Sequence, residues 1–311
     1  MTETDGQTDF DVLVAGAGPA GLTAGMYSAR QGLTTAVVTS DVGGQAAWAG
    51  RIDNYLGWQA ITGPELVAAF REHVSLFGVR CFEGRLVSAI VPDGPGFSVY
   101  TREGDTFHAL AVIIATGKAP NRLAVPGETE LIGRGVSYCA TCDAAFFSRR
   151  DVAVVGPGES AADAALQLAA LGVNRVTVLT SAPLKAPSAV LERITAEPSI
   201  TVRERVKVTR IEGKDRVTGV ALVDKATSIE EILPVAGVFI ETGAIAAAEF
   251  TAGLVDVNGK GEIIVDRSCA TSHPGIYAAG DVTNGLGKQV IIAAGEGARA
   301  AIAAGRDLKR R

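Results

Sequence analysis

Two closely spaced cysteines carry the most reactive chemistry in this chain. Cys139 and Cys142 are separated by two residues, and Asp143 follows directly. In such a pair one thiolate attacks a substrate disulfide, and its neighbour resolves the mixed disulfide. A structural zinc site would need about four ligands, and none of the three histidines has a paired spacing with these cysteines. The motif therefore predicts a redox-active dithiol and no metal.

A glycine-rich motif near the N-terminus predicts a dinucleotide-binding turn. The apolar run Phe10–Ala15 has the pattern of a buried parallel strand, and a helix is expected over residues 20–30. The motif between them comprises Gly16, Ala17, Gly18, Pro19, Ala20 and Gly21. Gly16 makes a tight turn, Gly18 lets the backbone approach a pyrophosphate, and Gly21 allows the helix to pack closely on the strand. The helix N-terminus would face the phosphates.

The ribose-binding acid that usually follows this motif is missing from its normal place. The second strand, Thr35–Thr39, ends on a hydroxyl, and Ser40 and Asp41 come next. The ribose contact is therefore predicted to be either a hydroxyl, at Thr39 or Ser40, or the Asp41 carboxylate.

A second copy of the strand–turn–helix unit lies in the middle of the chain. It runs from a strand at Asp151–Val155, through a helix that Gly172 ends as a C′ residue, to a strand at Arg175–Leu179. Its motif comprises Gly156, Pro157, Gly158, Glu159, Ser160 and Ala161. A bare G-x-G-x-x-A is a weaker signal than the first motif. The segment is therefore either a second nucleotide site or a turn that binds nothing.

The C-terminal part supplies an acid at the end of a strand. Gly275–Asp281 has this pattern, and Asp281 could accept a hydrogen bond from a ribityl hydroxyl or be a buried structural aspartate. The following helix, residues 289–304, consists of small residues and is expected to contribute little packing. Its N-terminus, with Lys288, would stabilise the charge of a reduced flavin. A further single strand is expected at Ile232–Ile240.

Length and composition fit two globular α/β domains. The chain has 311 residues, of which 47% are hydrophobic and 20% charged. The net charge of −5 is spread along the chain, and the basic cluster Lys309–Arg311 fits a solvated tail, so no nucleic-acid partner is expected. Neither a signal peptide nor a membrane-length apolar run is present, which predicts a cytoplasmic protein with no membrane partner. Cys81 and Cys269 are expected to be buried bystanders.

Together these motifs resemble the low-molecular-weight bacterial thioredoxin reductase family, which includes the reductase portion of the alkyl hydroperoxide reductase flavoprotein. The resemblance covers nearly the whole chain. Its motifs are G-A-G-P-A-G at Gly16–Gly21, G-G-Q at Gly43–Gln45 with Asn54, T-G-P-E-L at Thr62–Leu66, A-T-G at Ala115–Gly117, V-P-G-E at Val125–Glu128, C-A-T-C-D at Cys139–Asp143, and G-D-V with K-Q-V-I-I-A-A-G-E-G-A within Gly280–Ala298. Lys288–Gln289 and Ala182–Ala186 are closer to the hydroperoxide reductase branch.

The resemblance implies an α/β fold of two Rossmann-like three-layer domains, the second inserted into the first. Residues 1–117 and 244–311 would bind FAD, and residues 118–243 would bind NAD(P)H and carry the dithiol. Ala115–Gly117 and Glu241–Gly243 would be hinge strands about which the inserted domain rotates. Family members are usually homodimers.

The resemblance also assigns roles to individual residues. Cys142 would take electrons from the flavin, Cys139 would attack a thioredoxin-like or peroxiredoxin-like protein, and Asp143 would move the proton that the leaving thiolate needs. Ala144 replaces the family's usual glycine, which is expected to matter little. The cofactor contacts expected from motifs and resemblance are Gly16, Gly18, Pro19, Ala20, Gly21, Thr39, Gly43, Gly44, Gln45, Asn54, Val87, Ala115, Thr116, Gly117, Gly280, Asp281, Lys288, Gln289 and Val290 for FAD, and Gly156, Gly158, Glu159, Ser160 and Ala161 for the nicotinamide nucleotide.

Two stretches depart from the family pattern. Thr180–Ala186 holds one lysine and no arginine for the 2′-phosphate of NADPH, and Thr180 stands where NADH-preferring relatives have an acid, so NADH is only slightly favoured. Glu241–Ala246 replaces a Gly-x-x-Pro-Asn run beside the flavin.

These departures leave other functions open. One is a reductase of the same fold that takes electrons from another donor such as ferredoxin, and another is a dithiol oxidase or redox sensor. A ferredoxin–NADP reductase of related fold is disfavoured because it would not need Cys139 and Cys142.

Overall fold

The chain divides into two compact units in the computed structural model, which describes residues 9–310. Unit 1 comprises residues 9–49, 53–119 and 245–310, and unit 2 comprises residues 50–52 and 120–244. The sequence predicts domain boundaries at 117/118 and 243/244. In the structure, the chain passes from unit 1 to unit 2 at 119/120 and back to unit 1 at 244/245. Within the described residues, no helix is long and apolar enough to cross a membrane.

Strands and helices alternate along most of the chain. The strands are β1 (Phe10–Ala17), β2 (Thr35–Val42), β3 (Arg80–Phe82), β4 (Val87–Asp93), β5 (Gly96–Thr101), β6 (Thr106–Ile114), β7 (Lys118–Pro120), β8 (Val136–Ser137), β9 (Asp151–Val155), β10 (Arg175–Leu179), β11 (Ile200–Arg203), β12 (Val206–Gly213), β13 (Val217–Asp224), β14 (Glu230–Pro234), β15 (Gly237–Ile240), β16 (Ala244–Ala246) and β17 (Ile276–Ala278). The helices are α1 (Pro19–Arg30), α2 (Gly63–Ser75), α3 (Ala140–Asp143), α4 (Glu159–Ala170), α5 (Ser188–Ala196) and α6 (Val290–Leu308), with 3₁₀ segments at Gly44–Trp48, Ala144–Phe147 and Glu249–Thr251.

Unit 1 is built on a seven-stranded sheet of order β3-β2-β1-β6-β5-β4, in which β17 also pairs with β6. The strands β1, β2, β3, β6 and β17 are parallel, whereas β5 pairs antiparallel with the start of β6 on one side and with β4 on the other. Strand β1 is buried on both faces, since Leu13 packs into one hydrophobic cluster and Val12 and Val14 into the other. Its continuous apolar run is typical of such a strand.

Helix α6 packs closely on α1, so the expectation that it contributes little packing was wrong. It runs to Leu308, beyond the predicted end. A Cβ at Gly297 would lie 2.1 Å from the backbone oxygen of Ala20, and a Cβ at Gly305 would lie 2.3 Å from Gln31 Oε1. The small residues therefore let the helices approach, and close contact takes the place of bulky side chains.

Unit 2 combines a parallel sheet of order β11-β10-β9-β15-β8 with an antiparallel sheet of order β12-β13-β14. The predicted strand–helix–strand unit is β9, α4 and β10, and Gly172 follows the C-cap residue with φ +79°, as expected at C′. The single strand expected at Ile232–Ile240 was wrong, because β14 and β15 belong to different sheets. Pro234 ends β14 and Gly237 begins β15, and such residues within an apolar run mark a break between strands. Parallel sheets with flanking helices confirm the predicted α/β class.

Two further expectations need correction. Ala115–Gly117 and Glu241–Gly243 are not strands, and the residues after them form the paired strands β7 and β16. Cys81 is exposed, whereas Cys269 is buried as expected. Cys81 lies in β3 at the end of the sheet order, where one edge of the strand pairs with no other strand of residues 9–310.

Candidate functional site

The first glycine motif forms a tight turn between β1 and α1. Gly16 has φ +102°, and a Cβ there would lie 2.5 Å from the backbone oxygen of Ala115. A Cβ at Gly21 would lie 1.8 Å from the oxygen of Gly16. By contrast, nothing lies within 4 Å of a Cβ at Gly18, the N-cap residue of α1, and Pro19 begins a first turn without acids. The open helix N-terminus therefore fits a pyrophosphate.

The candidate ribose ligands differ in accessibility. Thr39 is buried, and its hydroxyl accepts a hydrogen bond from Ala17 N at 3.2 Å and donates one to the oxygen of Asp41. The Asp41 side chain is exposed and accepts a hydrogen bond from Ser40 Oγ at 3.0 Å. The geometry therefore favours Asp41 as the ribose ligand.

Val87, which is among the expected FAD contacts, begins β4 and is buried in the hydrophobic core.

Gln45 of the G-G-Q motif contacts the residue after the A-T-G loop, and Asn54 contacts the start of α6. In Gly43–Gln45 both glycines have positive φ, +101° and +52°, and the glutamine amide donates to the oxygen of Lys118 at 2.7 Å. Asn54 Nδ2 donates to Gln289 Oε1 at 2.8 Å. Gln289 is the N-cap residue of α6, which begins at Val290. Residues far apart in sequence are thereby brought together in unit 1.

The A-T-G loop is held by backbone and side-chain hydrogen bonds. Ala115 N donates to the oxygen of Ala15 at 2.8 Å, and Thr116 Oγ1 donates to the oxygen of Ala247 at 2.6 Å. Gly117 has φ +70°. The loop is thereby held beside the first glycine turn.

The acid at the end of β17 lies among charged groups. Gly280 has φ +79°, and its N–H donates to Glu296 Oε2 at 2.7 Å. Burial raises the pKa of Asp281, against the opposing charges of Lys288 and Lys118. Burial lowers the pKa of Lys288, whose Nζ donates to a backbone oxygen at 2.6 Å. A largely buried carboxylate thus lies close to two lysines.

Sequence reasoning missed part of this charged cluster. Lys118 forms an ion pair with Glu262, and their side chains are only 17% and 11% exposed. Asn258 Nδ2 donates to the other carboxylate oxygen of Glu262 at 2.7 Å. Burial alone would raise the pKa of Glu262, but hydrogen bonds from Lys118 and Asn258 lower it. Two members of the cluster could have been predicted from the sequence: Lys118 directly follows A-T-G, and Glu296 is an acid in a helix of small residues. Nothing in the local sequence marks Glu262.

The second glycine motif repeats this geometry in unit 2. A Cβ at Gly156 would lie 2.2 Å from the oxygen of Glu241, and nothing lies within 4 Å of a Cβ at Gly158, the N-cap residue of α4. The first turn of α4 contains Glu159, Ser160 and Ala161. Ser160 Oγ donates to the oxygen of Glu241 at 3.3 Å. The turn is open to a pyrophosphate, although the charge of Glu159 opposes a bound anion.

Glu241 links this turn to the dithiol segment. Its backbone oxygen contacts the turn, and its side chain accepts a hydrogen bond from the N–H of Ala140, the residue after Cys139. Burial raises the pKa of Glu241 to about 7, and the hydrogen bond from Ala140 opposes this effect. An acid directly after the apolar strand β15 is the signal that could have identified it.

Cys139 and Cys142 form a disulfide at the start of α3. Cys139 is the N-cap residue, and its Sγ accepts a hydrogen bond from Cys142 N at 3.2 Å. Ser137 Oγ accepts one from Cys139 N at 3.0 Å. Asp143 ends the helix, and the fully buried Ala144 follows. Both cysteines are half-buried, so the disulfide is sheltered but accessible.

This combination of parallel-sheet units, open glycine turns and an accessible disulfide defines a class of disulfide oxidoreductases that bind nucleotide cofactors. The chain belongs to the pyridine nucleotide-disulphide oxidoreductase family, whose model matches residues 10–297. Membership in this family implies FAD and a nicotinamide nucleotide as cofactors.

Individual relatives narrow the class. The structure is similar to thioredoxin reductase from Streptococcus pyogenes MGAS5005, with a TM-score of 0.93 and 35% identity over 97% of this chain and 99% of that one. Similar curated proteins are the F component of alkyl hydroperoxide reductase from Staphylococcus aureus (strain Mu50 / ATCC 700699), 36% identical over 302 residues, and an NADH dehydrogenase of Bacillus subtilis (strain 168), 39% identical over 296 residues. These alignments cover 97% and 95% of this chain but 59% and 58% of those proteins, so the chain spans about three fifths of their length.

These similarities confirm the predicted family and the predicted fold of two Rossmann-like domains. The chain has the fold of a thioredoxin reductase and belongs to a family of disulfide oxidoreductases.

Proposed function

We propose that this chain is a disulfide reductase that passes electrons from a nicotinamide nucleotide, through FAD and the Cys139–Cys142 disulfide, to a thioredoxin-like or peroxiredoxin-like protein. The half-buried disulfide carries the proposal, because a disulfide that exchanges with another protein must be reachable. The names of the similar proteins, a thioredoxin reductase and a component of alkyl hydroperoxide reductase, support this class of partner. On the family resemblance we also propose a homodimer.

Unit 1 is the proposed FAD domain. The N-terminus of α1 at Gly18 would hold the pyrophosphate, Asp41 the adenosine ribose, and Asp281 the ribityl hydroxyls. Lys288 and the N-terminus of α6 would offset negative charge on the ring. When bound, FAD accepts a hydride and releases two electrons to a disulfide.

Unit 2 is the proposed nicotinamide and dithiol domain. Reduction of the disulfide by two electrons and two protons breaks the S–S bond and gives two thiols. The Cys139 thiolate would attack a partner disulfide, and the Cys142 thiolate would then attack Cys139 and release the reduced partner. The N–H of Cys142, which contacts Cys139 Sγ, would stabilise the attacking thiolate. Asp143, at the end of the same helix, would supply the proton to the leaving sulfur.

One observation favours a second candidate, a reductase that takes electrons from a donor other than a nicotinamide nucleotide. Glu159 places a negative charge in the first turn of α4, where a pyrophosphate would bind. In this candidate the turn of unit 2 is structural, and the dithiol keeps its role.

Anaerobic stopped-flow absorbance separates the two candidates. FAD-loaded protein is mixed with NADH or NADPH and then with oxidised thioredoxin. Rapid loss of the flavin absorbance with one nucleotide, and its return with thioredoxin, is the expected result. If neither nucleotide bleaches a flavin that dithionite still reduces, the nicotinamide step is wrong and the second candidate replaces it.

A further inference from the structure

The end of β10, where nucleotide-binding domains distinguish NADH from NADPH, is surrounded by segments distant in sequence. We name this region the selector corner, and it consists of residues 180–185, residues 203–206 and Lys225. Thr180 N donates to the oxygen of Arg203, and Val206 N donates to the oxygen of Thr180, each at 3.0 Å. Lys225 N donates to the oxygen of Arg205 at 2.8 Å. Hydrogen bonds therefore fix all three segments in place.

The acidic selector of NADH-binding relatives has no counterpart in this corner. Thr180 is only 2% exposed, and its hydroxyl donates to the oxygen of Ala182 at 2.7 Å. The nearest acid in the corner is Glu204, and its Oε1 already accepts the N–H of Leu184 at 3.0 Å. That hydrogen bond holds Glu204 against the backbone of Leu184, and Glu204 does not stand at the strand end, where the selector acid of NADH-binding relatives stands.

A lysine reaches the corner from the turn after β13. Lys225 Nζ donates to the oxygen of Ser181 at 3.1 Å, although the two residues are 44 positions apart. Ser181 is the second residue after the end of β10, where the 2′ substituent of a bound nucleotide lies. An ammonium has three donors, so the exposed Lys225 keeps two for a phosphate.

The other charges near Lys225 are largely engaged. Arg203 forms an ion pair with Glu231, and Asp224 accepts the backbone N–H groups of its own turn. Arg205 and the exposed Lys185 add two further positive charges to the same corner. The corner therefore offers an anion at least one partly unsatisfied cation.

We propose that Lys225 binds the 2′-phosphate of NADPH and replaces the arginines that the local sequence lacks. A lysine binds phosphate as a point charge, without the paired geometry of an arginine. The inference rests on the proposed nicotinamide site of unit 2, and it reverses the slight preference for NADH that the local sequence favours.

Calorimetric binding of two nucleotide fragments to the FAD-loaded full chain tests this proposal. Adenosine 2′,5′-bisphosphate carries the 2′-phosphate, and 5′-AMP lacks it. The wild type should bind the bisphosphate about tenfold or more tightly than AMP, because a charge-assisted hydrogen bond is worth about that factor. Lys225→Gln should lose most of this ratio with unchanged AMP affinity, whereas Lys207→Gln, at an exposed lysine of β12 in the same unit, should keep it.

The outcomes separate this proposal from the proposed function. An unchanged ratio in Lys225→Gln, or equal binding of both fragments by the wild type, overturns the role of Lys225 while the nicotinamide site stands. If Glu204→Gln weakens AMP binding and the wild type shows no preference for the bisphosphate, Glu204 selects NADH instead. If no variant binds either fragment, the nicotinamide site of unit 2 and the role of Lys225 both fail.

Discussion

Replacing Glu241 with glutamine should make the stability of this protein depend less on pH. Burial raises the pKa of Glu241 from its ordinary value of 4.5 to about 7. The folded chain therefore holds this proton more tightly than the unfolded chain, and stability falls as the pH rises between these two values. At about 1.4 kcal/mol for each pKa unit, the loss above neutral pH is about 3 kcal/mol.

Glutamine keeps the size of Glu241, and its amide oxygen can still accept the N–H of Ala140. Glu241→Gln and wild type should therefore be similar in stability at about pH 5, and the variant should be more stable by about 3 kcal/mol at about pH 8. Urea unfolding of the FAD-loaded protein, followed by circular dichroism, measures this difference. Fluorescence is unsuitable because both tryptophans, Trp48 and Trp58, belong to unit 1.

A matched control is Glu192→Gln, which changes an exposed acid of α5 in the same unit. Surface substitutions of this kind usually change stability by less than about 0.5 kcal/mol. If Glu241→Gln and wild type differ by the same amount at both pH values, or if the variant is the less stable at high pH, the reasoning about the buried carboxyl is refuted.

Three further tests concern the framework of unit 1. Lys118→Met should lower the free energy of unfolding by about 3 kcal/mol, because it leaves Glu262 buried without its partner, and Glu262→Leu added to it should restore part of the loss in urea unfolding. Gly21→Ala should abolish FAD retention, because its Cβ would lie 1.8 Å from a backbone oxygen. The control Gly295→Ala, at an open helical position, should keep FAD and raise the free energy of unfolding by about 1 kcal/mol. Flavin absorbance of the two purified variants measures FAD retention. Thr62→Ala removes the capping box of α2 and should cost about 1 kcal/mol in thermal unfolding.

Local signals were enough to predict the glycine turns and the dithiol. In both glycine motifs a strand, closely packed glycines and a helix start within a few residues of one another, so the local sequence determines the geometry. The same holds for Gly172 at the end of α4. An α/β class follows because such units repeat along the chain.

Tertiary contacts could not be predicted in the same way. Lys118 with Glu262, and Lys225 with Ser181, are far apart in sequence, and nothing local marks them as neighbours. The tight packing of α6 depends on the close approach of two helix backbones. A hydrophobicity pattern does not detect this approach, because the small residues that allow it have little apolar surface. The switch between β14 and β15 lies inside one apolar run, where Pro234 ends the first strand and Gly237 begins the second, so these two residues were an overlooked signal.

The central claim is that the Cys139–Cys142 disulfide passes electrons from the flavin to a protein disulfide. The most direct test compares wild type, Cys142→Ser and Cys81→Ser, a control at the exposed cysteine outside the dithiol. Each FAD-loaded protein is reduced anaerobically with dithionite, freed of excess reductant and mixed with oxidised thioredoxin in a stopped-flow spectrometer. Flavin absorbance should return rapidly in wild type and Cys81→Ser and stay bleached in Cys142→Ser. Return of the absorbance at the wild-type rate in Cys142→Ser would contradict the claim.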